Sequence, residues 1–397
     1  MSRVQQILSR RVHIAVFGSG LGHAARMSPV AHLLKKEEGV TVRFSSFSHA
    51  VDYLRKQGFD CDQVAPADIE WRNEGVSVRD TFNKSPMLIT NLFRQIAKER
   101  QIIRRFQPNL VLSDTRLSAV IAAALERVPS ITVANQLRIH LPPRYHTARL
   151  KPIEGFSAEM LGLFWSRSRL TLIPDLPLPY AICEENTSPI RILKKQLRYV
   201  GFMTSTAKPA PGKLRKVSDM LNLSDNGKPV VFANISGPPE TKRDVLDAAV
   251  KAANLLKDRF TIIVSRGDVG GGEEPRRISG GWLYEWCPVK DELFSLADLV
   301  IVRGGHSTIG QAIISSKPMV SVPIRNHSEQ YVNASKVDKL GLGRMIPTPN
   351  LSARRLAEAV EEVGSNPAYK ERIEKVGAVA RRMDGIRKTV EIVNSLL

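Results

Sequence analysis

The sequence predicts an α/β protein built from two Rossmann-like domains. Its 397 residues exceed what one hydrophobic core usually holds, so two domains of similar size are expected. Short apolar strands alternate with helical segments in both halves of the chain, a pattern typical of parallel sheets covered by helices. A stretch rich in Pro, Gly, Lys and Ser, residues 204–228, separates the two series. Together these observations place one α/β domain on each side of that connection.

The first half of the chain, residues 1–203, is predicted to form the first domain. It opens with an apolar strand, a glycine loop and a helix whose apolar positions Met27, Val30, Ala31 and Leu34 recur at helical spacing. The predicted strands are 12–17, 40–44, 110–112 and 130–133, and the later predicted helices are 50–57 and 117–127.

Residues 229–380 repeat the alternation and are predicted to form the second domain. The predicted strands are 230–233, 260–265, 299–302 and 319–322, and the predicted helices are 241–256, 352–363 and 369–397. A glycine-rich loop at 267–272 and an aromatic segment at 282–286 precede the third of these strands.

Composition excludes several classes of protein. Hydrophobic residues make up 43% of the chain and charged residues 24%, as in globular rather than disordered proteins. No apolar run is long enough to cross a bilayer, and the start of the sequence lacks the apolar core of a signal peptide. Cys61, Cys183 and Cys287 lie far apart and suit a reducing compartment, so we expect a cytoplasmic protein.

The net charge of +19 calls for an acidic partner or surface, unless the chain is basic without any partner. Residues 94–169 carry 13 Lys and Arg against five Asp and Glu. Large apolar residues lie in and beside this window: Leu92, Phe93, Ile96, Ile102, Ile103, Phe106, Phe156, Leu161, Leu163, Phe164 and Trp165. Mixed basic and apolar residues favour contact with an anionic membrane surface, and no nucleic-acid-binding signature is visible.

The segment 297–334 carries the strongest functional signal. An apolar strand runs into two glycines and the start of a helix, whose first N–H groups lack partners within the helix and attract anions, diphosphates in particular. A similar strand–loop–helix unit around Ser236 and Gly237 can face the same anion. The predicted diphosphate-binding residues are Ser236, Gly237, Arg303, Gly304, Gly305, His306, Ser307 and Thr308. The alternative role for Arg303 is to brace the glycine turn instead of binding the diphosphate.

One ordered set of residues extends across this segment. It consists of Arg303, Gly305, Thr308, Gln311, Lys317-Pro318, Pro323, Glu329-Gln330 and Asn333-Ala334. The set resembles the donor-binding signature of inverting glycosyltransferases with the GT-B fold. It is similar to that of glycosyltransferase family 28, which includes the lipid-intermediate N-acetylglucosaminyltransferase of peptidoglycan synthesis, and of glucuronosyltransferase-like enzymes. The resemblance implies two domains facing each other across a cleft, with a C-terminal helix, 381–397, that braces the first domain.

The resemblance also implies contacts to the rest of a nucleotide-sugar donor. Glu329, Gln330 and Asn333 are implied to hold the hydroxyls of the donor sugar. Gln311 stands where the family has an acidic residue that binds ribose, and glutamine can still accept one hydrogen bond and donate another. Trp286 is implied to meet the nucleotide base, with an ordinary core position as the alternative.

The glycine loop after the first strand carries the candidate catalytic residues. Gly18, Gly20 and Gly22 do not complete a dinucleotide-binding spacing, because His23 stands where the third glycine is required. The resemblance implies that His23 is the general base, a role that imidazole suits at neutral pH. Asp114, at the end of a predicted strand, is implied to orient His23 and stabilise its protonated form. Capping of the following helix is the alternative for both residues.

The expected activity is therefore transfer of a sugar, an N-acetylhexosamine by resemblance, from a UDP-sugar to an acceptor hydroxyl with inversion. A lipid-linked acceptor and a peripheral position on the cytoplasmic membrane face are part of this expectation, and nucleic acid is not an expected partner. No metal or other cofactor is expected. Two alternatives remain open: a UDP-GlcNAc 2-epimerase, and a non-catalytic protein associated with membranes or nucleic acid.

Overall fold

Two seven-stranded sheets, one in each half of the chain, form the framework of the protein. The computed structural model describes residues 10–67, 71–72, 75–76, 85–138, 151–187, 190–205, 207–223, 227–268 and 270–397. In this described part each main sheet is parallel or nearly so and alternates with helices along the chain, which confirms the predicted fold class.

The first domain is a fully parallel sheet with its helices. In chain order it contains β1 Arg11–Val16, α1 Gly22–Glu38, β2 Thr41–Ser46, α2 His49–Lys56, β3 Cys61–Gln63, β4 Trp71–Arg72, β5 Gly75–Val76, α3 Ser85–Phe106, β6 Leu110–Asp114, α4 Leu117–Leu125, β7 Ser130–Val133, α5 Lys151–Trp165, β8 Leu170–Ile173, α6 Glu184–Thr187 and β9 Leu197–Tyr199. The sheet order is β3-β2-β1-β6-β7-β8-β9, whereas β4 and β5 form a separate antiparallel pair. The order reverses between β1 and β6, the kind of point where parallel sheets bind ligands.

The second domain repeats this plan with one antiparallel edge strand. In chain order it contains α7 Pro211–Met220, β10 Val230–Asn234, α8 Arg243–Leu255, β11 Thr261–Ser265, β12 Arg276–Ile278, β13 Gly281–Tyr284, α9 Lys290–Leu296, β14 Leu299–Val302, α10 His306–Ile314, β15 Met319–Ser321, α11 Ser328–Lys339, β16 Gly343–Met345, α12 Ala353–Ser365, α13 Pro367–Arg382 and α14 Gly385–Asn394. The order β12-β13-β11-β10-β14-β15-β16 reverses between β10 and β14. Only the pair of β12 and β13 is antiparallel within this sheet as described.

The apolar pattern of the first helix places it in the core as expected. Met27, Val30, Ala31 and Leu34 are fully buried and pack against the first sheet. The same cluster contains Ile386, Val390 and Val393 of α14. The last helix of the chain thus packs on the first domain, after the chain has completed the second.

The predicted single helix at 369–397 is wrong, because the structure divides it into α13 and α14. Asp384 caps α14 by accepting the N–H of Arg387 at 3.0 Å. At Gly385 a β-carbon would lie 2.4 Å from the carbonyl oxygen of Gly201. The break therefore lets the chain pass close to the segment that joins the two domains.

The basic and apolar region predicted to face a membrane is partly core. Ile102, Ile103 and Trp165 are buried, whereas Phe93, Leu163 and Phe164 are 65%, 49% and 41% exposed. The side chain of Phe156 lies outside the described residues. Among the helices that the structure describes, none combines the length and the apolar character that a bilayer span requires.

A buried ionic network holds α3 against the first sheet. The Glu99 carboxylate lies 2.7 Å from Nε2 of His13 and accepts hydrogen bonds of 2.6 Å from both Arg116 and Ser45. Burial alone would raise the pKa of Glu99, but the charges and hydrogen bonds of Arg116 and His13 lower it from 4.5 to about 2. Ionised Glu99 is therefore part of the folded structure at neutral pH.

Replacing Glu99 by Gln is expected to destabilise the protein by roughly 3–5 kcal/mol at neutral pH, because the buried Arg116 loses its counter-charge. The low pKa of Glu99 contributes stability that is complete above pH 4.5 and is lost as the pH falls towards 2. Denaturant unfolding should therefore show a shallower acid dependence in the variant. Glu358→Gln, at an exposed position of α12, is the matched control and should change little.

Candidate active site

The two points of strand-order reversal face each other across one cleft. In the first domain the glycine loop joins β1 to α1, and in the second the glycine pair joins β14 to α10. A β-carbon placed on Gly22 would lie 3.6 Å from Oγ of Ser307. The amino-terminal ends of α1 and α10 are therefore adjacent, and one ligand can contact both domains.

Close backbone approach shapes the glycine loop. At Gly18 a β-carbon would lie 2.1 Å from the carbonyl oxygen of Phe47, so a side chain has no room there. Gly20 has a φ of +88°, and Gly22 is the first residue of α1. The loop thus turns sharply and delivers His23 to the first turn of α1, beside the end of β6.

His23 and Asp114 form a direct pair, although 90 residues separate them along the chain. Strand pairing sets Val16 opposite Asp114, so the β1 loop begins beside the carboxylate. Nδ1 of His23 lies 2.9 Å from Oδ1 of Asp114. The His23 side chain is 22% exposed, whereas Asp114 is fully buried. Neither residue caps a helix through its side chain, since the N-cap positions are Leu21 and Arg116.

Arg26 completes this cluster and was missed by sequence reasoning. Its guanidinium donates to Oδ2 of Asp114 at 2.6 Å and also contacts Oδ1. Burial opposes ionisation of Asp114, but the positive charge of Arg26 and the His23 ring outweigh it and hold the pKa of Asp114 well below its ordinary value. Asp114 therefore stays ionised and fixes Nδ1 of His23 as a donor, which leaves Nε2 as the basic nitrogen.

The cluster extends across the cleft to the second domain. Arg26 also donates to the side-chain oxygen of Asn135 at 2.9 Å, and the amide nitrogen of Asn135 donates to Glu329 at 2.8 Å. Glu329, predicted to hold the donor sugar, is thus linked through Asn135 to the cluster of His23, Arg26 and Asp114. The spacing of His23 and Arg26, one helical turn apart, was the available sequence signal for this arrangement.

The bend before α10 has the geometry of an anion site. Gly304 has a φ of +82°, which favours glycine, and a β-carbon there would meet the carbonyl oxygen of Gln330 at 2.8 Å. The N–H groups of Thr308 and Ile309 already donate to the carbonyl oxygen of Gly305. The N–H groups before them, in the open first turn, have no acceptor within the helix. Ser236 and Gly237 are exposed in the loop after β10.

Four side chains of the predicted donor site point into the protein instead. Arg303 is buried and donates to the carbonyl oxygens of Val322 and Thr241, so it braces the turn. His306 is directed at Asp175 of the first domain. Asn333 is fully buried between Gly304 and Asn186. The side-chain oxygen of Gln330 accepts the backbone N–H of Ile324. Predicted ligand contacts by the side chains of Arg303 and Asn333 are corrected accordingly, because internal hydrogen bonds already engage them. The predicted contact by His306 is corrected because its ring is buried and directed at Asp175.

The predicted nucleoside residues, Trp286 and Gln311, lie on two different elements of the second domain. Trp286 follows β13 and is half-buried. Its backbone N–H donates to the carbonyl oxygen of Gly272. Gln311 donates from its amide to Oδ1 of Asp291 at 2.6 Å. Asp291 thus supplies a carboxylate directly beside the position where the related signature has its acid. Sequence reasoning missed Asp291 because it lies on the preceding helix, α9.

Family models match both halves of the chain. Residues 243–387 match the glycosyltransferase family 28 C-terminal domain, and residues 10–155 match glycosyl transferase family 1. An uncharacterized glycosyltransferase of Methanosarcina acetivorans is 25% identical over 96% of this chain and 98% of its own length. Another, from Methanopyrus kandleri, is 28% identical over 82% of this chain and 89% of its own. The resemblance drawn from the sequence is confirmed.

Solved structures with the same two-domain arrangement cover nearly the whole chain. The glycosyltransferase of kitacinnamycin has a TM-score of 0.69 at 16% identity, over 98% of this chain and 100% of that one. SsfS6 of Streptomyces sp. SF2575, solved with thymidine diphosphate, has a TM-score of 0.65 at 14% identity, over 97% and 99%. At this level of identity the likeness establishes the fold.

Proposed function

We propose that this chain, which has the GT-B fold and matches a glycosyltransferase family model in each half, transfers a sugar from a nucleoside diphosphate to an acceptor hydroxyl with inversion. One observation carries the proposal: the pair of His23 and Asp114 lies across a narrow cleft from the amino-terminal end of α10. A base and an anion site on opposite walls are what displacement at an anomeric carbon requires.

On the acceptor wall, Nε2 of His23 removes the hydroxyl proton. As that proton leaves, the acceptor oxygen bonds to the anomeric carbon while the bond from this carbon to the phosphate oxygen breaks. The imidazolium that forms is stabilised by the ionised Asp114, which Arg26 holds in place. Attack on the face opposite the leaving diphosphate inverts the configuration at that carbon.

On the donor wall, the backbone takes up the charge of the departing diphosphate. The first-turn N–H groups of α10, together with the loop at Ser236 and Gly237, supply donors at fixed positions. Arg303 contributes indirectly, because it fixes the turn that orients these groups. No catalytic metal and no other cofactor is part of this proposal.

For the donor we propose a UDP-sugar carrying an N-acetylhexosamine, on the similarity of residues 243–387 to glycosyltransferase family 28. Trp286 would stack on the base, and Gln311 with Asp291 would receive the ribose hydroxyls. Glu329, held by Asn135, would bind a hydroxyl of the sugar, and the remaining amide group of Gln330 would assist.

For the acceptor we propose a lipid-linked hydroxyl presented at the cytoplasmic face of a membrane. Met160, Leu163 and Phe164 occupy one face of α5 and are each 41–49% exposed. Ile192 is 44% exposed and packs beside them, since a β-carbon at Gly162 would lie 3.1 Å from its methyl group. Four exposed basic side chains lie close to these residues along the chain: Arg167, Lys194, Lys195 and Arg198. Exposed apolar side chains with basic neighbours fit an anionic lipid surface.

His23→Gln is expected to lower kcat by roughly 10²- to 10⁴-fold, because it removes the general base while keeping a polar side chain. Donor binding, followed as the rise in melting temperature on adding UDP, should be retained. The assay measures transfer from UDP-N-acetylglucosamine to a polyprenyl-linked acceptor, and NMR of the product reports the anomeric configuration.

The matched control for this experiment is His32→Gln, which changes an exposed histidine on the same helix. The control should transfer sugar at the native rate. An unchanged kcat for His23→Gln, or a product that retains the donor configuration, would defeat the proposed mechanism. Conversion of the donor without any acceptor would instead favour the epimerase alternative.

The membrane proposal is tested by co-sedimentation with vesicles of phosphatidylglycerol and of phosphatidylcholine. The native protein should sediment with the anionic vesicles, and about 1 M salt should release much of it through charge screening. Replacing Leu163 and Phe164 together by Ser should reduce binding severalfold, because two of the exposed apolar side chains are lost. Leu255→Ser, at a residue 59% exposed on α8 of the other domain, is the control. Equal binding by both variants would rule this surface out.

A further inference from the structure

Three side chains with metal-binding chemistry meet where the two domains join. Asp175, Cys183 and His306 are each buried, and one potential ligand atom from each lies within 4.8 Å of the others. Asp175 and Cys183 belong to the first domain, and His306 is the first residue of α10 in the second. The group therefore spans the domain boundary.

Backbone contacts hold the carboxylate of this group in one orientation. Oδ1 of Asp175 accepts the N–H of Leu176, and Oδ2 accepts the N–H of Cys183, each at 2.7 Å. The Cys183 thiol makes a long contact of 3.9 Å to the hydroxyl of Thr187. Carboxylate oxygens retain further lone pairs beyond these two bonds, so Asp175 can still bind a cation.

The imidazole of His306 supplies the second, independent observation. The residue is only 5% exposed, and its Nε2 lies 3.1 Å from Oδ2 of Asp175. This approach lacks the alignment of a hydrogen bond, so within the described residues Nε2 is a buried nitrogen without a hydrogen-bond partner. A buried polar atom in this state calls for an explanation, and a bound ion is one that fits its neighbours Asp175 and Cys183.

We propose that Asp175, Cys183 and His306 bind a transition-metal ion, Zn²⁺ by the chemistry of the set, where the two domains join. One thiolate, one imidazole and one carboxylate are three ligands that Zn²⁺ accepts, and a water molecule would complete the tetrahedron. On binding, the Cys183 thiol releases its proton to solvent and the sulfur donates an electron pair to the metal. No oxidation or reduction is involved.

The position of the site indicates a structural role. The carbonyl oxygen of Asp175 accepts the N–H of Gly201 at 3.0 Å, and the ring of His306 packs on Phe202 at 5.5 Å between centroids. Gly201 and Phe202 belong to the segment that crosses between the domains. A bound ion would tie the start of α10 to this crossing. It takes no part in the proposed transfer chemistry and does not depend on it.

Cobalt substitution tests the proposal in the full-length protein. After removal of bound metal by a chelator, titration with Co²⁺ should give one binding event with the near-ultraviolet charge-transfer band of a cobalt–thiolate bond. Added Zn²⁺ should abolish the band. Cys183→Ser should lose it, and His306→Ala should weaken Co²⁺ binding by about 100-fold or more, because each removes a ligand.

The matched controls are Cys61→Ser and Cys287→Ser, which change the other two buried thiols of the chain. Both should keep the band. Because Cys183→Ser can fail to fold, the metal content of the native protein as purified and its melting temperature with and without added Zn²⁺ are measured as well. Absence of the band in the native protein, or its persistence in Cys183→Ser, would overturn the site.

Discussion

The buried carboxylate of Asp114 is the group on which the arrangement of the candidate active site depends. It sits at the end of a central strand with no exposure, where an isolated negative charge would be very unfavourable. Arg26 and His23, one turn apart on α1, offset the cost of burying this charge by binding the carboxylate. The same ion pair that makes the carboxylate tolerable therefore fixes the histidine, and through Asn135 it reaches Glu329 of the second domain.

Much of this arrangement could be predicted from the sequence, because short stretches of the chain carry the signals for it. An apolar strand followed by glycines and the start of a helix is a pattern that can be recognised in a sequence. The bend at Gly304 and the loop at Gly18 were both predicted from it. His23 and Asp114 were paired through the resemblance to glucuronosyltransferase-like enzymes, and the pairing of Val16 with Asp114 in the sheet explains why they meet. Arg26 was missed because an arginine on a helix is usually exposed, and only the depth of Asp114 draws it inward.

What the sequence could not predict is where polar side chains of one domain meet the other. Arg303, His306 and Asn333 lie within the recognised segment, yet their partners are internal backbone groups or residues of the first domain. The segment therefore divides into backbone groups that face the cleft and side chains that hold this backbone in place. The break at Asp384 is also tertiary in origin, since the chain there must pass close to Gly201.

A crystal structure of the protein with UDP tests the central claim most directly. We expect oxygens of the diphosphate to lie within hydrogen-bond distance of the first-turn N–H groups of α10, with the His23 ring facing them across the cleft. A diphosphate bound elsewhere would contradict it. The groove of about 390 Å³ beside α8, which Arg243 and Arg266 line with partly or fully exposed side chains, is the place where such a result would be expected.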